Sequence, residues 1–201
     1  DLMRIQRASS PFLDGILGLP HKVLDHGFVR VIDYMGDDAA VVQAARVSYG
    51  AGTKNVSDDR GLIRYLMRHQ HTSPLEMGEI KLHVKLPIFV ARQWIRHRTA
   101  NVNELSARYS ILSREFYIPE LGRIAEQSQT NKQGSGAAIA KVNADIMRQE
   151  LIDHSESAAD LYELLLNEND DGERTFADRP QLARELARLS LTLNTYTEWY
   201  W

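Results

Sequence analysis

Residues 92–114, RQWIRHRTANVNELSARYSILSR, carry five arginines (Arg92, Arg96, Arg98, Arg108, Arg114) against one acid, Glu104. The whole chain runs the other way: 24 Lys and Arg against 27 Asp and Glu leave a formal net charge of −3. A guanidinium is planar, always charged and able to grip an oxyanion with two parallel N–H donors. Gln93, Asn101, Asn103, Ser106 and Tyr109 interleave directional donors and acceptors. Such a set suits a phosphate together with the edge of a uracil-like ring. On a helix, Arg92 and Arg96 share one face, Gln93 and Arg96 lie on a neighbouring one, and Ile88, Ala91 and Ile95 take the other side. The same arginines admit a plainer role, as a solvated ion-paired surface or as cations at a helix C-terminus. Arg96, His97 and Arg98 in succession cannot all leave one helix face, which favours an anion site.

Two further clusters have chemical potential. Ser73, Pro74 and Glu76 form a compact helix-start pattern, with Ser73 as N-cap, Pro74 at the first helical position and Glu76 closing a capping box. Free N–H groups at such a start also attract phosphate. His69, His71, His83 and His97 are the second cluster. The H-x-H spacing alone is weak, no carboxylate stands at a ligand-like offset, and no metal is expected. His71 is either a polar group beside a ligand or a helix-terminal residue. In a later segment Arg184 and Arg188 lie four apart, read either as a surface pair facing Glu185 and Asp178 or as another anion contact.

Cysteine is absent, so disulfides, thiolate metal sites and a cysteine nucleophile are excluded. At 201 residues, 43% hydrophobic and 25% charged, the chain reads as one globular domain. The acidic balance argues against a general nucleic-acid coat. No apolar run is long enough to span a bilayer, and the first residues lack a secretory pattern, so a cytoplasmic location is expected.

The elements that would position these residues read as α+β, helix-rich with a small antiparallel sheet. A strand is predicted at 27–35, a helix at 37–48 and a glycine-containing loop at 49–57. Ser57 is expected to cap the next helix, where Leu62, Ile63, Leu66 and Met67 form the buried stripe. A half-buried strand follows at 79–86, and Pro87 opens the arginine-bearing helix. Residues 99–114 are irregular, EFYIP (115–119) is a short strand, and 120–136 is a flexible polar loop. A helix at about 137–168 carries Ile139, Val142, Ile146, Leu151, Leu161 and Leu165. Residues 167–179 are an acidic loop. Pro180 opens a last helix whose stripe is Leu182, Leu186, Leu189, Leu193 and Tyr196, with TEWYW still inside the helical pattern.

The run RHRTANVNELSARYS resembles the signature of the flavin-dependent thymidylate synthases: Arg-His-Arg, seven residues, then Ser. Here it is Arg96, His97, Arg98, then Ser106. The neighbours ARQW and EFYIP, the upstream MRHQHTSPLEMGEIKLHVKLPIFV and the downstream ELARLSLTLNTYTEWYW are similar too. The resemblance covers about residues 26–118 and 182–201 and implies the family's α+β fold. It also implies methylation of deoxyuridine monophosphate (dUMP), with methylenetetrahydrofolate as carbon donor and FAD reduced by NADPH as hydride source. The missing cysteine is consistent with that route. Carried over by motif, Gln93, Arg96, Glu104, Leu105, Ser106, Ala107, Arg108 and Arg188 would contact dUMP. Ser73, Glu76, Arg96, His97, Arg98 and Glu104 would contact FAD. His71, Arg96 and Ser106 would be the catalytic set, with His71 near folate and flavin. Ser106 has no histidine spaced to activate it and is expected to bind, not attack. The family assembles each site from several subunits of a homotetramer. Asn101 departs from the family's usual Ser, and family residues that follow EWYW are expected to lie beyond Trp201. The competing reading is a non-redox nucleotide- or RNA-binding protein using the same arginine pocket.

Overall fold

The structure is a computed structural model that describes residues 7–47, 56–169 and 171–201, without the side chains of 56–58. The predicted loop at 49–57 lies almost wholly outside the described residues, as does the side chain of Ser57. The elements are α1 (Pro11–Ile16), β1 (Pro20–Val23), β2 (Gly27–Met35), α2 (Asp38–Arg46), α3 (Val56–Arg68), β3 (Glu79–Pro87) and α4 (Ile88–Trp94). They continue with β4 (Asn103–Glu104), β5 (Ala125–Gln127), β6 (Ser135–Ala138), α5 (Lys141–Leu166), α6 (Arg184–Ala187) and β7 (Tyr196–Tyr200). Five strands form one sheet in the order β1-β2-β3-β7-β4, and β5-β6 is a separate hairpin. The helix-rich α+β architecture is the one the sequence predicts. No helix among the described residues is long and apolar enough to cross a membrane.

Contacts divide the chain into two units. The first comprises residues 1–21, 29–83 and 201. Here Asp37 caps α2 by accepting a hydrogen bond from the Ala40 N–H at 2.9 Å, as a short acceptor before a helix should. The apolar spacing of α2 buries Val41 and Val42. Helix α2 packs on α3 and on a tight 3-10 turn, Ser73–Met77. Gly36 sits at φ +79°, and any Cβ there would overlap the Met77 carbonyl oxygen. Glycine therefore lets the 73–77 turn lie against the start of α2. In α3 only Leu66 of the expected stripe is fully buried, and Met67 is 60% exposed.

The second unit comprises residues 22–28 and 84–200. Its core brings Tyr162 and Leu166 of α5 onto Ala187, with Ile111, Leu112, Leu165 and Leu191 packed around them. Helix α5 starts later than predicted because 135–138 pair with 125–127 as a hairpin, which also gives order to the expected polar loop. Its buried face is Ala144, Ser155, Ala158, Ala159, Tyr162 and Leu166. Val142, Ile146, Leu151 and Leu161 of the expected stripe are exposed.

The largest correction concerns residues 180–201. The long helix is replaced by α6, a single 3-10 turn at Arg188–Ser190 and strand β7. The cause is a competing period. Tyr196, Thr197, Trp199 and Tyr200 are aromatic or β-branched, types that fit a pleated, half-buried surface, and Tyr196, Thr197 and Trp199 are nearly completely buried. The helical leucine spacing that suggested a core stripe is instead exposed, Leu189 most of all. EFYIP is reduced to one antiparallel bridge, Phe116 to Thr195.

Candidate active site

Residues 193–200 position most of the candidate residues of the second unit through backbone hydrogen bonds. Ile88 and Phe89, which open α4, donate to the carbonyls of Thr195 and Leu193, each at 2.9 Å. Leu105 donates to the Glu198 carbonyl at 2.8 Å, and Tyr196 donates to the Glu115 carbonyl at 2.9 Å. Strand β4 lies antiparallel to β7, with Asn103 opposite Tyr200 and Glu104 opposite Trp199. Trp199 meets Trp94 of α4 edge-on, with ring centroids 5.8 Å apart. One stretch, residues 193–200, thus fixes both the start of α4 and the loop that bears Glu104 to Arg108.

The arginine-bearing helix ends sooner than its spacing predicts. It stops at Trp94, and single turns follow, with Arg96 donating to the Gln93 carbonyl at 3.3 Å and His97 to that of Trp94 at 2.9 Å. Arg96, His97 and Arg98 therefore leave the helix in a turn, so the shared helical face expected for Arg92 and Arg96 does not extend to Arg96. Gln93, Arg96, His97, Arg98, Glu104, Leu105 and Arg108 are exposed, Ser106 is half-buried and Ala107 is buried. Ser106 opens a turn of its own: its Oγ accepts the Arg108 N–H at 3.3 Å, and its carbonyl accepts those of Tyr109 and Ser110 at 3.0 Å.

Ion pairing separates the arginines into two kinds. Arg114 meets Glu156 at 2.5 Å, Asp160 at 2.7 Å and Glu163 at 3.2 Å, all on α5. Those carboxylates, Glu156 first, push its pKa further above its ordinary value. Arg184 pairs with Glu168 at 2.5 Å and donates to the Tyr109 carbonyl at 2.7 Å. Arg188 reaches Glu185 at 3.9 Å, so the surface pairing expected with Glu185 belongs to Arg188, while the partner of Arg184 is Glu168. Among the described residues no ion pair engages Arg92, Arg96, Arg98 or Arg108; Arg108 lies 5.8 Å from the Tyr109 ring.

His71, Ser73 and Glu76 belong to the first unit and are exposed. The capping box does not form. Thr72 precedes the 73–77 turn, no side chain caps it, and five residues of 3-10 turn replace the expected helix. Upstream, Gln70 takes a positive φ of 55° that closes α3, and downstream Gly78 is already extended as the chain enters the strand at Glu79. His71 instead joins a ring cluster. Tyr65 lies 4.2 Å from His69 and 5.9 Å from His71, centroid to centroid. Tyr65 was missed from sequence, although its spacing of four from His69 on a helix is the signal that finds it.

A buried polar group stands behind β7. The Tyr196 hydroxyl donates to Asp25, and burial together with that bond raises the Tyr196 pKa above its ordinary value. Burial works to raise the Asp25 pKa, but the Tyr196 hydroxyl and the Ile118 and His26 N–H groups hold it below the usual range. Lys85 pairs with Glu115 at 2.6 Å and lies 3.8 Å from Glu198. Burial again opposes the charge on Glu115, yet Lys85 and Ser113 keep its pKa below the ordinary 4.5.

The sequence model of the family described as thymidylate synthase complementing protein matches residues 30–201. The chain belongs to that family. A flavin-dependent thymidylate synthase of Gluconobacter oxydans is 60% identical over 189 residues, which is 94% of this chain and 59% of that protein. One from Rickettsia bellii is 57% identical over 197 residues, 98% of this chain and 67% of that one. The chain thus spans about three-fifths of the length of the Gluconobacter relative. Among solved structures, the UMP/dUMP methylase PolB of Streptomyces cacaoi, bound with 5-Br UMP, superposes with a TM-score of 0.71 and 34% identity. That match covers 89% of this chain and 71% of PolB. The 5-Br dUMP complex of PolB gives a TM-score of 0.72. Membership in the family agrees with the signature at Arg96 to Ser106.

Proposed function

We propose that this chain is the catalytic part of a cytoplasmic flavin-dependent thymidylate synthase, converting dUMP to dTMP. Methylenetetrahydrofolate would donate the carbon and NADPH the reducing equivalents. FAD, when bound, would supply the hydride. The observation that carries the reading is a pair of facts about one loop. Arg96, Arg98 and Arg108 are exposed and meet no carboxylate among the described residues, and β7 clamps the segment between them. The names of the relatives supply the chemistry, and they do not favour a non-redox nucleotide or RNA binder.

The donor set fits a flavin dinucleotide. Two unpaired guanidiniums flank an imidazole in a turn, which suits a pyrophosphate better than a single cation does. In this reading Arg96, His97, Arg98 and Glu104 hold FAD, and Ser73 and Glu76 contact it from another copy of the chain. Gln93, Arg96, Glu104 to Arg108 and Arg188 hold dUMP. Ser106 orients the nucleotide: its Oγ already serves a backbone turn and no base lies beside it among its hydrogen-bond partners. His71, Arg96 and Ser106 complete the catalytic set. A homotetramer would bring copies of these groups together. Its support is the run of exposed apolar side chains on α5 (Val142, Ile146, Leu151, Leu161) and at Leu186 and Leu189, a surface type that marks protein contacts.

The test is product formation by the full-length protein with FAD, NADPH, methylenetetrahydrofolate and dUMP. Appearance of dTMP that depends on both the flavin and the folate is expected. A flavin-loaded protein that forms no dTMP would contradict the proposal.

A further inference from the structure

Glu104 is exposed, and its carboxylate would swing freely on two methylenes unless something held it. Its backbone is fixed opposite Trp199 by the β4–β7 pairing. Its side chain is fixed separately: the Thr197 hydroxyl donates to Glu104 Oε1 at 2.8 Å. Thr197 is 3% exposed and lies two residues from Trp199 on the same face of β7, which makes it the diagonal cross-strand neighbour of Glu104. The partly buried hydroxyl needs an acceptor, and a β-branched residue has few rotamers with which to seek another. Thr197 is also the only hydrogen-bond partner of the Glu104 carboxylate among the described residues, which leaves Oε2 without one.

We infer that Thr197 is a positioning residue for the reaction: its hydroxyl holds one oxygen of Glu104 so that the other meets the bound flavin and nucleotide. The inference rests on the reading that Glu104 contacts those ligands. The hydroxyl contributes orientation and touches no ligand itself. A side chain that must be ordered on each binding event loses affinity through entropy, and a hydrogen bond to a charged group is stronger than one between neutral groups.

The experiment compares FAD affinity, by flavin fluorescence, in the full-length protein and in Thr197→Val, Thr197→Ser, Glu104→Gln and the Thr197→Val/Glu104→Gln double variant, with thermal midpoints measured alongside. Thr197→Val should weaken FAD about tenfold, Thr197→Ser should bind within about threefold of wild type, and the double variant should bind no worse than Glu104→Gln alone. A structural role for the threonine would instead make the two losses add and would move the thermal midpoint. Additive losses, a Thr197→Ser as weak as Thr197→Val, or a Thr197→Val that binds like wild type while Glu104→Gln does not, would each overturn the inference. An unaffected Glu104→Gln would overturn the reading of Glu104 itself.

Discussion

Arg108 and Arg114 are six residues apart and carry the same charge, yet they are placed in opposite circumstances. Arg114 is met by three carboxylates of α5, and Arg108 by none among the described residues. The difference lies in which elements face them. Arg114 adjoins a long helix that presents Glu156, Asp160 and Glu163 at helical spacings of four and three, so its charge is already satisfied. Arg96 and Arg98 extend from the turn that ends α4 and Arg108 from the turn that follows β4; the one carboxylate of β7, the half-buried Glu198, faces Lys85 instead. A local excess of arginine is thus two things at once: a clamp that attaches 114 to α5 and a set of open donors. Only the second kind is available to an anionic ligand.

Substitution of the open donors tests that division most severely. Arg96→Ala should lower dUMP methylation roughly 100-fold or more, since a charge-assisted donor to a bound anion is removed, while the thermal midpoint stays within about 1 °C. Activity assays and calorimetry on the same preparation check both halves, and a large fall in midpoint would move Arg96 into the structural class. Next in size is Arg108→Lys. The charge survives but the planar fork does not, so dUMP affinity by titration calorimetry should fall about tenfold; equal dissociation constants would remove the bidentate contact.

Arg114→Ala should do the reverse, leaving dUMP affinity within about twofold. Arg114 is 37% exposed at its side chain, so solvent screening discounts its three contacts to about 1–2 kcal/mol in total. That corresponds to a fall in midpoint of roughly 2–8 °C for a chain of this size. The smallest expected effect is on pH dependence. Glu115 and Asp25 have folded-state pKa values below their ordinary ones. Each therefore adds stability that is present above its ordinary pKa, 4.5 for Glu115 and 3.8 for Asp25, and is lost as the pH falls through its folded value. Thermal midpoints should drop below pH 4.5, and Glu115→Gln should flatten part of that acid limb. An unchanged limb would detach the Lys85 pair from stability.

Much of the candidate site is legible in the sequence because its residues would act through type and near spacing. Gln93, Arg96 to Arg98 and Glu104 to Arg108 form one continuous stretch, and an excess of guanidinium needs no tertiary information to be seen. Strand β2 and helix α2 were legible for a similar reason, since each has one clean period and, for α2, an aspartate at its cap. The error at 180–201 arose where two periods overlap. Leu182, Leu186, Leu189 and Leu193 repeat at helical spacing, but Tyr196 to Tyr200 have the side-chain shapes of a sheet, and pairing with residues some ninety positions earlier decides between them. Thr197 was illegible for the same reason: its partner Glu104 is distant in sequence. Short-range rules also failed at Ser73, which lies inside a 3-10 turn whose cap position is taken by Thr72, with no side chain capping it.

The central claim is that the open arginines hold a pyrimidine monophosphate against a flavin. It is tested most directly by titrating dUMP into the FAD-loaded full-length protein while following the flavin absorption band, in wild type, Arg108→Ala and Arg114→Ala. The account predicts a saturable spectral change in wild type and Arg114→Ala that is lost in Arg108→Ala. The same change in all three, or none in the wild type, would contradict it.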